Sequence, residues 1–302
     1  MARDDGLLAY AERVLGRCEA VEDCSWGHGW SVVLRLRDAA GTTWFVKRHR
    51  DRERYDAEVT AYQRWVPALG EQAARLRAHD AAQAIVLSAL PGRPAPWPER
   101  DIERADRADR AHCADRAERV AADLALQRSA GALLRRLHGA QPAVAWDDFG
   151  AAKTWEFDRL APQAAGLLTA RELGAARAGV RALCEVGVPQ RQVPCHRDYS
   201  QRNWLVDDDG GLRVIDFEWA RPDVWVTDLI RLSFGAWQDR PDLQEAFLDG
   251  YGRRLSDADR AVLTGCSILT AVWLVVKARE SAQGSFEQSS RLMLRRLIGK
   301  AA

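Results

Sequence analysis

Apolar and polar positions change rhythm several times along the chain. Residues 6–17 place apolar groups at helical spacing and predict a short amphipathic helix. Residues 30–37, WSVVLRLR, alternate in their later half, and residues 43–48, TWFVKR, are short and β-prone. The turn signal at 38–41 between them predicts a β-hairpin. Residues 52–66 return to helical spacing and stop before Pro67. Residues 84–90, AIVLSAL, read as a buried strand, and PGRPAPWP then breaks regular structure. Beyond it the pattern is mostly helical, except at 191–216, where strand character surrounds a polar loop.

Two stretches stand out. Residues 99–138 repeat the triplet ADR, with Asp and Arg at mixed i+3 and i+4 spacing. Such pairs support a solvated helix by ~0.2–0.5 kcal/mol each. The first half has no apolar face and predicts an exposed helix or insertion. The second half, from Leu124 to Leu137, gains an apolar stripe and should pack. Residues 262–276, VLTGCSILTAVWLVV, form the most apolar run. A bilayer span needs about 20 residues, so this run predicts a buried core helix.

Composition narrows the classes. The 302 residues, 47% hydrophobic and 29% charged, suffice for one large domain or two lobes around a cleft. A formal net charge of +1 gives no global field for nucleic acid or an anionic membrane. The six cysteines form no CxxC pair, which speaks against a zinc site and for free thiols in a reducing compartment. The first residues, MARDDGLLAYAERVLG, lack a signal-peptide core, so a cytoplasmic protein is expected.

The chemistry concentrates in VPCHRDYSQRNWLVDDDGGLRVIDFEWA, residues 193–220. Asp198 lies five residues before Asn203, and a strand-like segment leads into Asp216. Two acids and an amide on a loop and a strand end supply the hard oxygen ligands that magnesium takes sparingly, and Asp198 can accept the proton of an attacking hydroxyl.

The order HRDxxxxN then IDF resembles the catalytic and metal loops of protein kinases. The wider wording, CHRDYSxxNWL and IDFExA, resembles the aminoglycoside phosphotransferase family, over roughly residues 25–295 and most weakly at 99–125. The resemblance implies an α+β, two-lobed, protein-kinase-like fold. Residues 1–90 would be a β-rich nucleotide-binding lobe. Residues 91–302 would be a helical catalytic and acceptor-binding lobe, with 99–125 a charged helical insertion. It implies ATP and Mg2+ as cofactors, Asp198 as catalytic base, and Asn203 and Asp216 as metal ligands. His196 and Arg197 would brace the loop, and so would Asp228 downstream. Lys47 would grip the α- and β-phosphates and pair with Glu58, with Glu53 a rival. Backbone around Gly27, Gly29 and Ser31 would face phosphate oxygens. The stretch WGHGWS lacks the third glycine of GxGxxG, so a plain turn is the alternative. Ser88 and Leu90 would flank the hinge beside the nucleobase.

Glu218 replaces the glycine of DFG and no APE-like segment follows, which points to a small acceptor rather than a protein. The acceptor wall would lie in residues 235–302, where Asp239, Asp242, Glu245, Asp249, Glu280 and Glu287 mix with bases that include Lys277, Arg279, Arg291, Arg295 and Arg296 and leave the pocket's sign open. Trp155, Trp237 and Trp273 would stack on an acceptor or fill the core. The expected activity is phosphoryl transfer to a hydroxyl of a small molecule, an aminoglycoside or another hydroxylated antibiotic. The alternatives are a metabolic kinase for an amino alcohol or sugar, and a nucleotide-binding pseudokinase. No nucleic acid or membrane partner is expected, and the chain would be a monomer or homodimer.

Overall fold

The structure is a computed structural model that describes residues 5–25, 30–96, 110–280 and 284–300. In chain order it runs α1 (Asp5–Leu15), β1 (Cys18–Asp23), β2 (Ser31–Asp38), β3 (Thr43–His49), α2 (Arg52–Arg64), β4 (Leu76–His79), β5 (Ala84–Ser88), β6 (Arg93–Pro94) and α3 (Arg110–His138). It continues through β7 (Val144–Trp146), α4 (Phe149–Ala164), α5 (Ala170–Arg181), β8 (Gln190–Cys195), β9 (Trp204–Val206), β10 (Leu212–Val214) and β11 (Arg221–Val224). Helices α6 (Ile230–Phe234), α7 (Pro241–Tyr251), α8 (Asp257–Glu280) and α9 (Gly284–Lys300) complete it.

The chain divides into two compact units. The first holds residues 1–141, 196–221 and 242–252, and the second holds 142–195, 222–241 and 253–302.

In the first unit an antiparallel sheet has the order β1-β2-β3-β5-β4. Leu7, Tyr10 and Ala11 of α1 bury against Leu34, Leu36, Val46, Ala84 and Val86. Side chains alternate across a strand, so burying Val46 under α1 turns the adjacent Lys47 to the other face. Helix α2 begins at Asp51, whose carboxylate accepts from the backbone N–H of Glu53 and Arg54 at 2.8 and 3.2 Å, satisfying two donors no helical carbonyl can reach. A second sheet, β10-β9-β6, is built on a tight hairpin: Asp207 Oδ1 accepts from Gly211 N at 2.6 Å, and Gly210 takes φ +77°. Its edge strand β6 contains Pro94, where the sequence predicts only a break. An edge tolerates the missing N–H.

Helix α3 buries Ala130, Leu133, Leu134 and Leu137, the apolar stripe expected after Leu124. Of the charged insertion expected at 99–125, residues 99–109 and the side chains of 110–116 lie outside those described, while 110–125 form the start of α3 and the side chains of 117–125 are exposed or half-buried.

The second unit pairs the sheet β11-β8-β7 with helices α4, α5, α6, α8 and α9. Helix α5 opens with a reciprocal cap, Thr169 accepting from Glu172 N while the Glu172 carboxylate accepts from Thr169 N. The same carboxylate receives Arg295 of α9 at 2.7 Å. The apolar run 262–276 lies inside the 24-residue helix α8. The length argument against a span therefore fails, because polar flanking turns extend the helix far enough to cross a membrane. Burial is what identifies a core helix: 67% of its most apolar window is buried in the fold.

Candidate active site

Lys47 is where three acidic side chains of the first unit meet. Its Nζ lies 3.0 Å from Glu58 Oε2, 2.7 Å from Asp216 Oδ1 and 2.9 Å from Glu218 Oε2. The partners arrive from two segments far apart in sequence. Lys47 stands on β3, Glu58 in the middle of α2, and Asp216 and Glu218 just past β10. Burial by itself pulls the Lys47 ammonium down, but Asp216, Glu58 and Glu218 outweigh it and hold it well above its ordinary value. Burial likewise pushes Asp216 and Glu58 up, and Lys47 overcomes that and lowers both. Glu218 goes the other way: burial, with Asp216 and Glu58 beside it, leaves it raised despite Lys47.

His49, Glu58 and Glu218 also converge, with ligand-type atoms within 4.8 Å of one another. His49 Nε2 sits 2.7 Å from Glu58 Oε2. The cation among these groups is the Lys47 ammonium, so the cluster is an ion-pair core built around a lysine.

The hairpin β9–β10 carries the second half of the site. The loop 196–203 enters β9 and Asp216 leaves β10, so pairing the strands brings the two loops together, and Ile215 N donates to Asn203 O at 3.0 Å. Asn203 Nδ2 donates to the Asp198 carbonyl at 2.9 Å and to Asp198 Oδ2 at 3.0 Å. With both amide hydrogens committed, Asn203 Oδ1 is left without a protein partner among the described residues. Arg202 also pairs with Asp198 Oδ2. Arg197 and Asp216 both adopt positive φ, +65° and +67°. A left-handed non-glycine costs on the order of 1–3 kcal/mol and persists where the surroundings over-determine it, as at active sites.

Packing supplies that determination. His196 is fully buried, its Nε2 3.0 Å from the Ile215 carbonyl and its ring 4.7 Å from Phe217. Phe217 meets Tyr62 of α2 at 5.4 Å on its other side. Tyr199 donates to the Ala130 carbonyl of α3 at 2.8 Å. The residues flanking Asp198 and Asp216 are thus anchored on two helices, and Asp198 itself is buried.

The remaining expected residues fall as follows. Ser31 is buried at the start of β2 and Gly27 and Gly29 lie outside the described residues. Ser88 ends β5, its hydroxyl accepting from Arg75 N at 2.9 Å, and Leu90 is half-buried beyond it. Gly92 takes φ +111° with its Cα facing the Val206 carbonyl, where a Cβ would come within 2.8 Å. Asp228 is buried in the second unit, in the 3-10 turn Trp225–Leu229. The acids expected in one acceptor wall divide: Asp242, Glu245 and Asp249 lie on α7 of the first unit, Asp239 belongs to the second, and the side chains of Glu280 and Glu287 are outside those described. Trp237 is buried, Trp273 half-buried, and Trp155 is 62% exposed under Arg159.

Three participants were not assigned contacts from sequence. Glu218 follows Asp216 by two residues in the same segment, close enough for both carboxylates to reach Lys47. Arg202 follows Asp198 by four, a spacing that brings opposite charges together over one turn. Arg54 carries no local signal, since its partners come from distant segments.

Asn203 and Asp216 fit a magnesium ion by donor chemistry, offering an amide oxygen and a carboxylate, both hard. Asp198, already bonded to Asn203, is a carboxylate beside that pair and suits an acceptor hydroxyl's proton.

No curated protein matches the chain by sequence. Solved structures do resemble it. A macrolide 2'-phosphotransferase from Brachybacterium faecium is 17% identical, with a TM-score of 0.61 over 96% of this chain and 97% of that one. An aminoglycoside phosphotransferase solved with ADP and hygromycin B is 11% identical, with a TM-score of 0.64 over 98% and 99%. A choline/ethanolamine kinase family protein from Mesorhizobium loti is 18% identical, with a TM-score of 0.62 over 94% and 87%. The fold is therefore the kinase-like α+β fold. The model of the phosphotransferase enzyme family matches residues 25–265, and the chain belongs to that family of small-molecule kinases.

Proposed function

We propose that this kinase transfers the γ-phosphate of ATP, with Mg2+, to a hydroxyl of an antibiotic, and so confers resistance. The observation that carries the reading is the pairing of Lys47 with Glu58 and Asp216 beside the Asp198–Asn203 pair. A fixed ammonium for the phosphates, two hard oxygen ligands and a carboxylate base are the parts phosphoryl transfer needs. Residues 1–90, with Gly27, Gly29, Ser31, Ser88 and Leu90, would hold the nucleotide, and residues 91–302 the acceptor. Bound to Asn203 and Asp216, magnesium would supply charge neutralisation at the phosphates. Asp198 orients the acceptor hydroxyl and takes its proton, with Asn203 and Arg202 fixing the carboxylate. Positioning and electrostatics then provide most of the acceleration. The macrolide and aminoglycoside enzymes among the similar folds favour an antibiotic acceptor. The choline/ethanolamine kinase family protein, as similar in fold, favours an amino alcohol as the second reading.

The test is ADP release by the full chain with ATP and Mg2+, against macrolides, aminoglycosides, other hydroxylated antibiotics, choline and ethanolamine. Antibiotic-dependent release is expected. Turnover confined to choline or ethanolamine transfers the proposal to the second reading, and nucleotide binding without turnover on any acceptor counts against both.

A further inference from the structure

A lysine ammonium has three hydrogens, and those of Lys47 face three carboxylates. A nucleotide phosphate reaches Lys47 only if one of them gives way. Side-chain exposure ranks them: Glu58 at 1%, Glu218 at 7% and Asp216 at 32%. Asp216 also holds a left-handed backbone. It is the partner that yields, and Lys47 is then aimed by Glu58 and Glu218 together.

Glu58 is fixed by its helix and by His49. Glu218 lies on no helix or strand, and Arg54 fixes it instead. The Arg54 guanidinium sits 3.8 Å from the ring centroid of Trp30 and 4.1 Å from that of Trp219, between two indoles. Its Nη1 lies 3.4 Å from Glu218 Oε1, while Oε2 of the same carboxylate faces Lys47. One carboxylate thus bridges two cations, and the outer cation sits in the corner of two indoles set 77° apart, close to both rings. Arg54 is itself buried, at 8% exposure, so it acts through Glu218 and does not reach into solvent. Trp30 directly precedes β2, so the contact also ties the start of that strand to the turn that follows Asp216.

We propose that Arg54 is a positioning residue of the nucleotide site: clamped between Trp30 and Trp219, it holds Glu218 on Lys47 and keeps Lys47 aimed at the nucleotide phosphates. The proposal rests on the reading of Lys47 as the phosphate-gripping residue.

Calorimetric titration of the full chain with MgADP and with adenosine tests it without knowledge of the acceptor. Lys47→Met should weaken MgADP by well over tenfold, and Arg54→Met by about tenfold, while adenosine changes less than about twofold in either. Arg54→Lys, which keeps charge and loses the planar fork, should recover only part of the loss. Because Arg54 acts through Glu218, Arg54→Met in a Glu218→Gln background should add less than about twofold. Equal losses for adenosine and MgADP would reduce Arg54 to general scaffolding and overturn the proposal. So would an unchanged MgADP affinity in Arg54→Met, or losses that multiply in the double variant. Unchanged MgADP affinity in Lys47→Met would remove the reading of Lys47, and the proposal with it.

Discussion

Gly131 on α3 and Gly250 on α7 let two backbones touch. A Cβ on Gly131 would stand 2.0 Å from the Phe247 carbonyl oxygen and 2.7 Å from Tyr251 N, and one on Gly250 would stand 2.0 Å from the Arg128 carbonyl oxygen. All of these obstacles are backbone, so no rotamer change relieves them. Gly131→Ala must push the helices apart by on the order of 1 Å, at the upper end of the 1–3 kcal/mol that overpacking costs. Alanine's better helix propensity returns about 1 kcal/mol, leaving a net loss of about 2 kcal/mol. At about 2–4 °C per kcal/mol, Tm should fall by about 4–8 °C. Gly174 on α5 is the control, with nothing within 4 Å of its Cβ position, and Gly174→Ala should leave Tm unchanged or raise it. The loss also bears on the site, since Tyr199, next to Asp198, donates to the carbonyl of Ala130 and packs 6.3 Å from Phe247. Thermal unfolding by circular dichroism of the two variants and the parent decides it. A Gly131→Ala protein as stable as the parent would refute the close-packed account of α3 and α7.

Three further outcomes follow from other contacts. Tyr199→Phe removes the bond to Ala130, whose carbonyl keeps its helical partner, so unfolding free energy should fall by about 0.5–1.5 kcal/mol in urea titration. Hydrogen bonds from Arg295, then Thr169, push the Glu172 carboxyl down to about 2 from 4.5. Its contribution is therefore complete above pH 4.5 and lost as pH falls toward 2, so the stability gap between the parent and Glu172→Gln should narrow between pH 6 and pH 3. Asp216→Ala should weaken the magnesium dependence of nucleotide binding, and calorimetry showing the same Mg2+ dependence as the parent would refute its metal role.

The legible parts of the fold were those governed by local rules. The hairpin Ser31–His49 and helix α2 follow from alternation, a turn signal and the helical spacing of apolar groups before Pro67. The short strands β1, β4, β7 and β11 escaped, because three to six residues carry too little periodicity and pairing is decided by distant partners. The same division holds in the site. Lys47, Glu58, Asp198, Asn203 and Asp216 could be named because the spacing of the motif encodes them, and the structure places Lys47 against Glu58 and Asp216, and Asp198 against Asn203. Glu53, the rival for Lys47, lies one residue past the start of α2, where its N–H is used by the cap, and Glu58 makes the contact. Arg54 was invisible, because a cation between two tryptophans 189 residues apart (Trp30 and Trp219) leaves no trace in any window. The two compact units could not be read from a pattern either, since each gathers three separate segments of chain.

The central claim is that Asp198 serves transfer chemistry at a nucleotide site, and Asp198→Ala tests it most directly once an acceptor is in hand. Phosphorylated acceptor is followed by mass spectrometry and MgADP affinity by calorimetry on the same preparation. The account predicts turnover lower by about 10²–10⁴-fold, the range of a positioned general base, with MgADP affinity within about threefold of the parent. Turnover near the parent's level would contradict it.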